Sequence, residues 1–144
     1  MQPRLEIEFF RSAPSKIWVK ACNQGFAGET EQYINDQLLQ ELTEQLSGFP
    51  KSNSDEVVFE VGADGSPYGH CILKFFCFDS VGHTAVFVSV SDENSCVAKF
   101  TLQFEALFLD VFISSLKKAI EIGEGKSELK GINAYTQNVL CNNT

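Results

Sequence analysis

Three consecutive strand patterns followed by a helix pattern fill residues 70–122 and limit the possible folds more than any other stretch. The strands read HCILKFFCF, TAVFVSVS and CVAKFTLQF, and short polar turns separate them. From Glu105 the apolar period changes to that of an amphipathic helix. An antiparallel meander with the helix folded back over it is the simplest way to bury both apolar faces. In the third strand the alternation puts four residues on one face: Ala98, Phe100, Leu102 and Phe104.

The sequence before this meander predicts a hairpin, a helix and a strand. Alternation predicts a hairpin from Arg4–Arg11 and Lys16–Cys22, and a further strand over Glu56–Gly62. Leucine and isoleucine residues four apart predict a helix over Glu29–Ser47, capped at its start by Gly28 or Thr30.

The sequence after Gly123 predicts only a loop and a weak tail, and its end at residues 141–144 is expected to be frayed. No internal repeat is visible in the sequence. The predicted fold is one α+β domain over residues 1–144. It has a curved antiparallel sheet of about six strands packed against two amphipathic helices.

The composition indicates a reduced protein with an aromatic core. Thirteen phenylalanines against a single tryptophan suggest a core of rings carried on strands. Five cysteines, an odd number without CxxC spacing, argue against a disulfide framework. No apolar run approaches the roughly 20 residues of a membrane span, and no signal peptide is visible. A cytoplasmic location is therefore expected.

Negative charge is concentrated in the middle of the chain. The formal net charge is −8, and residues 29–93 hold twelve acidic side chains but only two basic ones. Such a field repels nucleic acid and anionic membranes, and it attracts a basic protein partner. The alternative is that the charge serves solubility alone.

The candidate binding residues are carboxylates on two parts of the predicted fold. The outer face of the predicted first helix supplies the first set: Glu29, Glu31, Asp36, Glu41 and Glu44. The predicted hairpin turns supply the second set: Asp79, Asp92 and Glu93. Any one of them alone is typical of a solvated surface carboxylate, so the hypothesis concerns the set.

Signals for catalysis are weak. The chain has two histidines, His70 and His83, and neither has a partner at the spacing of a metal or catalytic motif. The ring of His83 is expected to bond to the backbone of its hairpin. Cys71 and Cys77 lie on one face of a strand, where apolar neighbours would raise the thiol pKa. We therefore expect no enzyme activity, metal, cofactor or small-molecule substrate.

Residues 29–131 resemble a group of small bacterial immunity proteins. The features that carry the resemblance are the acidic helix and following strand, GHTAVFVSV from Gly82, the helix motif LDVF from Leu109, and LKG from Leu129. The group belongs to polymorphic toxin systems of the contact-dependent growth inhibition and WapI-like kind. The resemblance implies a protein that neutralises the C-terminal toxin domain of a delivered effector in the cytoplasm. Such toxins are often nucleases, whose basic clefts an acidic inhibitor complements.

Two other functions remain open on the sequence. Secretion chaperones are similarly small and acidic, but they usually begin with a helix, whereas two strand patterns open this chain. A small enzyme or ligand-binding barrel would line its pocket with the phenylalanines and use His70 or His83. Aromatic stripes at strand spacing are more often core than pocket.

Overall fold

The computed structural model describes residues 2–62 and 68–132, and its architecture is α+β. Among these residues there are eight strands and two helices. In chain order they are β1 (Arg4–Phe10), β2 (Ser15–Asn23), β3 (Phe26–Ile34), α1 (Asp36–Leu46), β4 (Glu56–Gly62), β5 (His70–Cys77), β6 (Thr84–Ser91), β7 (Val97–Phe104), α2 (Ala106–Ile122) and β8 (Glu124–Lys130).

The strands form two antiparallel sheets of four, in the orders β3-β2-β1-β8 and β4-β5-β6-β7. The α+β class, the antiparallel pairing and the two helices are as predicted, and the predicted single sheet of about six strands is only roughly matched, because eight strands form two sheets of four. Each half of the chain is a three-stranded meander, a helix and a final strand. That final strand pairs with the first strand of the other half, β4 with β5 and β8 with β1. The two halves are therefore topologically equivalent and exchange a strand.

One continuous hydrophobic core lies between these elements. Phe9, Phe59, Phe75 and Phe104 are almost completely buried on four different strands, which confirms the predicted aromatic core. The rings of Phe75 and Phe104 meet edge to face, with centroids 6.2 Å apart.

The predicted helix over Glu29–Ser47 is wrong in its first part. The chain forms β3 up to Ile34, and α1 begins only at Asp36. Burial alternates along β3, but two of its inward residues, Thr30 and Gln32, are polar. Because β3 has polar residues on both faces, its sequence lacks the alternation of apolar and polar residues that indicates a strand. The cap is Asn35, whose side chain accepts a hydrogen bond from the backbone N–H of Gln37 at 2.8 Å.

The predicted loop after Gly123 is also wrong, because β8 completes the first sheet. The sequence of β8, EGKSELK, presents only Ser127 and Leu129 to the interior as buried side chains. Leu129 pairs with Leu5 and is 1% exposed. Helix α2 packs against β8, β1 and α1, and its buried residues belong to the same core cluster as those of the second sheet. The predicted frayed end, residues 141–144, lies outside the described residues.

Strand β3 also contacts the second sheet, and this contact positions the candidate site. A Cβ atom built on Gly28 would lie 2.6 Å from Cβ of Ala98 and 2.8 Å from Cγ2 of Val90. Asn23 at the end of β2 donates to the backbone oxygen of Thr101 at 2.7 Å. The first sheet therefore approaches β6 and β7 at backbone distance. Within the described part of the chain, neither helix combines the length and apolarity needed to cross a membrane.

Candidate partner-binding site

A cavity of about 520 Å³ lies beside β3, where the first sheet meets the turns of the second. We call it the β3 cavity. Its lining comes from the two strands β2 and β3, from Tyr68 before β5, and from the turn between β6 and β7. The lining residues are Lys16, Trp18, Glu29, Thr30, Glu31, Gln32, Tyr33, Tyr68, Asp92 and Glu93.

Four of the eight predicted binding carboxylates meet in the β3 cavity. Glu29 and Glu31 project from the outer face of β3, not from a helix, so their predicted helical setting is wrong. Asp92 and Glu93 reach the same cavity from the β6–β7 turn. A single ammonium group, that of Lys16, lines the cavity beside these four carboxylates. The local field is therefore strongly negative.

Three aromatic side chains line the β3 cavity together with the carboxylates. Tyr33 and Tyr68 are 67% and 78% exposed. Trp18 is half-buried, and the ammonium nitrogen of Lys20 lies 3.8 Å from the centroid of its ring. Exposed tyrosine and tryptophan are enriched at protein interfaces because they bring large contact area at low entropy cost. The cavity can thus offer both charge and contact area to a partner.

A weak ion pair spans the β3 cavity. The Lys16 ammonium lies 3.2 Å from Oε1 of Glu31, and both side chains are close to half exposed. Exposed pairs of this kind contribute little free energy, so a basic group from a partner can take the place of Lys16 at small cost.

Strand β3 lies at the edge of its sheet. It pairs with β2 along its whole length, and no other described residue forms a backbone–backbone hydrogen bond with it. The cavity is lined by outward residues of β3, such as Glu29 and Glu31, and also by the inward residues Thr30 and Gln32. The β3 cavity is therefore lined by five consecutive residues of an edge strand, Glu29 to Tyr33.

The loop carrying Tyr68 is held against β3. The side-chain amide of Gln32 donates to the Tyr68 backbone oxygen at 3.1 Å and to Oγ1 of Thr30 at 2.7 Å. Gly69 makes this approach possible, because a Cβ at its φ of +96° would lie 2.8 Å from Nε2 of Gln32 and 3.0 Å from Oγ1 of Thr30. The inward polar residues of β3 therefore fix one wall of the β3 cavity.

The remaining predicted carboxylates have other settings, and Asp36 is structural. Its Oδ2 accepts from Nε of Arg11 at 2.9 Å, and Arg11 also donates to the backbone oxygen of Ile120. Hydrogen bonds from the Ser15 hydroxyl and then from Arg11 lower the pKa of Asp36. Asp36 thus ties the start of α1 to the end of α2.

Asp79 organises the β5–β6 turn. Its Oδ1 accepts from the backbone N–H groups of Val81 at 3.1 Å and His83 at 3.0 Å. Its Oδ2 contacts Nδ1 of His83, and this bond lowers the pKa of Asp79. The expected bond between the His83 ring and backbone is therefore replaced by one to a carboxylate. The ring also stacks on Phe78, with centroids 5.9 Å apart.

Asp92 has a similar structural role in the β6–β7 turn while it lines the cavity. Its Oδ1 accepts from the N–H groups of Asn94 and Cys96, each at 2.9 Å. Glu41 and Glu44 are exposed on α1 and do not line the β3 cavity. Their predicted position on the outer face of a helix is confirmed.

The two histidines and the described cysteines are not among the residues that line the β3 cavity. His70 is buried, and its Nε2 lies 2.6 Å from Oε2 of Glu60. Burial raises the pKa of Cys71 to about 12, and burial followed by the charges of Asp55 and Asp79 raises that of Cys77. Both directions agree with the prediction for these thiols. Within residues 2–62 and 68–132, no three histidine, cysteine or acidic side chains come together as metal ligands.

Sequence reasoning missed the aromatic part of the site. Trp18 alternates with the buried Ile17 and Val19, so the strand pattern already placed it on the outer face between two lysines. A tryptophan on the outer face of a strand is unusual, and this position was the signal in the sequence for the aromatic part of the site. Nothing in the sequence indicated that Tyr68 would meet β3.

Comparisons of this chain with protein-family models, with curated proteins and with solved structures give no match.

Proposed function

We propose that this chain is an immunity-type inhibitor that binds a basic toxin domain, of nuclease type, through the β3 cavity and so occludes the toxin's surface. The observation that carries the proposal is the meeting of four carboxylates and three aromatic rings beside a strand edge with which no described residue pairs. The resemblance to immunity proteins supplies the class of partner.

The chemistry of the cavity suits a lysine- or arginine-bearing surface. Carboxylates accept strong charge-assisted hydrogen bonds from guanidinium and ammonium groups, and aromatic faces attract the same cations. The lining also contains few groups that would hold an anion, since Lys16 is already bonded to Glu31. A nuclease domain that binds phosphate presents the complementary positive charge.

The test uses the toxin domain encoded beside the gene for this chain, and two matched double variants. Glu29→Gln/Glu31→Gln removes two charges from the β3 cavity, and Glu41→Gln/Glu44→Gln removes two from α1. We expect the first variant to slow association with the toxin on the order of tenfold at low salt and to flatten its salt dependence. Dissociation should change less, and the α1 variant should behave like the unmodified chain.

Growth of toxin-producing cells provides the functional readout. Cells that produce the toxin should survive with the unmodified chain and with the α1 variant, and survive less well with the cavity variant. An association rate that does not change with salt concentration, or equal effects of the two variants, would contradict the proposal. Failure to protect cells, together with export of a bound effector, would instead identify a secretion chaperone.

A further inference from the structure

The edge of β3 that faces away from β2 has no strand paired with it among the described residues, and its charges are negative. Proteins protect sheet edges with charged side chains (lysine above all), proline, a bulge or a covering segment, and a charged edge still admits a strand of opposite charge. The sequence of β3, FAGETEQYI, contains neither lysine nor proline, and its pairing with β2 runs through all nine residues without a bulge. The β3 cavity lies beside this strand and is lined by its residues Glu29 to Tyr33.

The charges along this edge select between possible occupants. If a second copy of this chain paired there, it would bring the carboxylates of its own β3 against Glu29 and Glu31. Like charges directly opposite on neighbouring strands are destabilising. A segment with basic residues at alternate positions would have the reverse effect, because lysine or arginine would lie about 5 Å from these glutamates.

We propose that the partner supplies an extended segment that pairs with the free edge of β3 as a fifth strand of the first sheet. Lysine or arginine at alternate positions of the segment faces Glu29 and Glu31. This inference rests on the proposed function, and it adds how the partner is held. Main-chain hydrogen bonds supply affinity, and the charge pattern supplies specificity.

The dimensions of the cavity fit such a segment. Its lining spans five consecutive residues of β3, from Glu29 to Tyr33, which is about 16 Å of strand. A neighbouring strand lies about 4.8 Å away, in the space bounded by Tyr68 and by Asp92 and Glu93. The exposed ring of Tyr33 lies on the same face as the two glutamates, and it can cover the aliphatic stem of a basic side chain.

The test uses the synthetic peptide acetyl-Thr-Lys-Val-Lys-Thr-Lys-Val-amide and two twins with methylated backbone nitrogens. One twin is methylated at the odd positions and the other at the even positions, so each loses the hydrogen-bond donors of one edge. We expect the parent peptide to bind and one twin to bind about tenfold more weakly, while the other twin retains affinity. Amide hydrogen exchange should slow at alternate residues of β3 when the parent peptide is bound.

The matched charge variants provide the control for location. Glu29→Gln/Glu31→Gln should weaken peptide binding, and Glu41→Gln/Glu44→Gln should leave it unchanged. Equal binding of both twins, or no binding of the parent peptide at millimolar concentration, would overturn strand pairing. The proposed function would survive that result if the toxin still bound with the expected salt dependence. If the peptides behave as expected and the toxin does not bind, the proposed function fails instead.

Discussion

The close contact between β3 and the second sheet makes a quantitative prediction about Gly28. In Gly28→Ala the new methyl carbon would lie 2.6 Å from Cβ of Ala98 and 2.8 Å from Cγ2 of Val90. Carbon atoms in contact normally lie about 3.5–4.0 Å apart, so both distances are short by about 1 Å. The sheets must separate or β3 must shift, and overpacking of this kind costs about 1–3 kcal/mol. Alanine also lowers the conformational entropy of the unfolded chain, which stabilises the folded state by roughly 0.5 kcal/mol and offsets part of this cost.

We therefore expect Gly28→Ala to lower the free energy of unfolding by about 1.5 kcal/mol. The measurement is urea unfolding followed by circular dichroism. The control is Gly25→Ala in the same hairpin, where an added Cβ meets no atom within 4 Å, and we expect it to be nearly neutral. Ala98→Gly removes one of the two clashing carbons. The double variant should thus be at least about 0.5 kcal/mol more stable than the sum of the single effects.

Two results would refute this reasoning. If Gly28→Ala were as stable as Gly25→Ala, the two sheets would not approach at backbone distance. If Ala98→Gly gave no coupling with Gly28→Ala, the cost would come from somewhere other than the predicted contact.

Three further predictions concern a buried leucine of β8, the loss of stability at acid pH, and the reactivity of two thiols. Leu129→Ala should cost about 3 kcal/mol in urea unfolding because it empties a buried site on β8, whereas the exposed Glu128→Ala should stay within about 0.5 kcal/mol. The lowered pKa of Asp36 contributes stability that is present above its unfolded pKa of about 3.9 and lost as pH falls through the folded value. Asp36→Asn should therefore lose less stability than the unmodified chain between pH 6 and pH 3 in urea unfolding; an equal loss would contradict this. Iodoacetamide at pH 8 should label exposed Cys96 well before buried Cys71, whose pKa is about 12; mass spectrometry of the native protein would show the opposite order if Cys71 were accessible.

The sequence was sufficient to predict strands in which apolar residues alternate. Glu56–Gly62 and Thr84–Ser91 have the predicted bounds, and β1, β5 and β7 differ from prediction by one residue at an end. In β1 and β4 apolar residues alternate with charged ones, so the period of two is visible in the sequence, whereas β5 and β6 are visible as runs of apolar, β-branched and aromatic residues. In β3 the inward Thr30 and Gln32 are buried and polar, and in β8 the inward Ser127 is too. Burial of polar residues follows from tertiary contacts, which no local pattern contains.

The candidate site was half predictable for the same reason. Clustering of charge in the sequence identified Glu29, Glu31, Asp92 and Glu93, which the fold brings together. Asp36 and Asp79 have equal charge in the sequence, but the fold engages them in structural hydrogen bonds. Which carboxylates are left for a partner depends on their distant neighbours, such as Arg11 for Asp36.

The topological equivalence of the two halves allows an internal comparison of their edge strands. β7 occupies in the second sheet the place that β3 occupies in the first. The exposed face of β7 carries Lys99, and the N–H of Ile132 donates to the backbone oxygen of Gln103 at 2.9 Å. A lysine and a hydrogen bond from the following chain are two common ways to protect an edge. At the equivalent place β3 has Glu29 and Glu31 beside the β3 cavity, so the two edges carry opposite charge, and a strand that paired with the acidic edge would have to be basic.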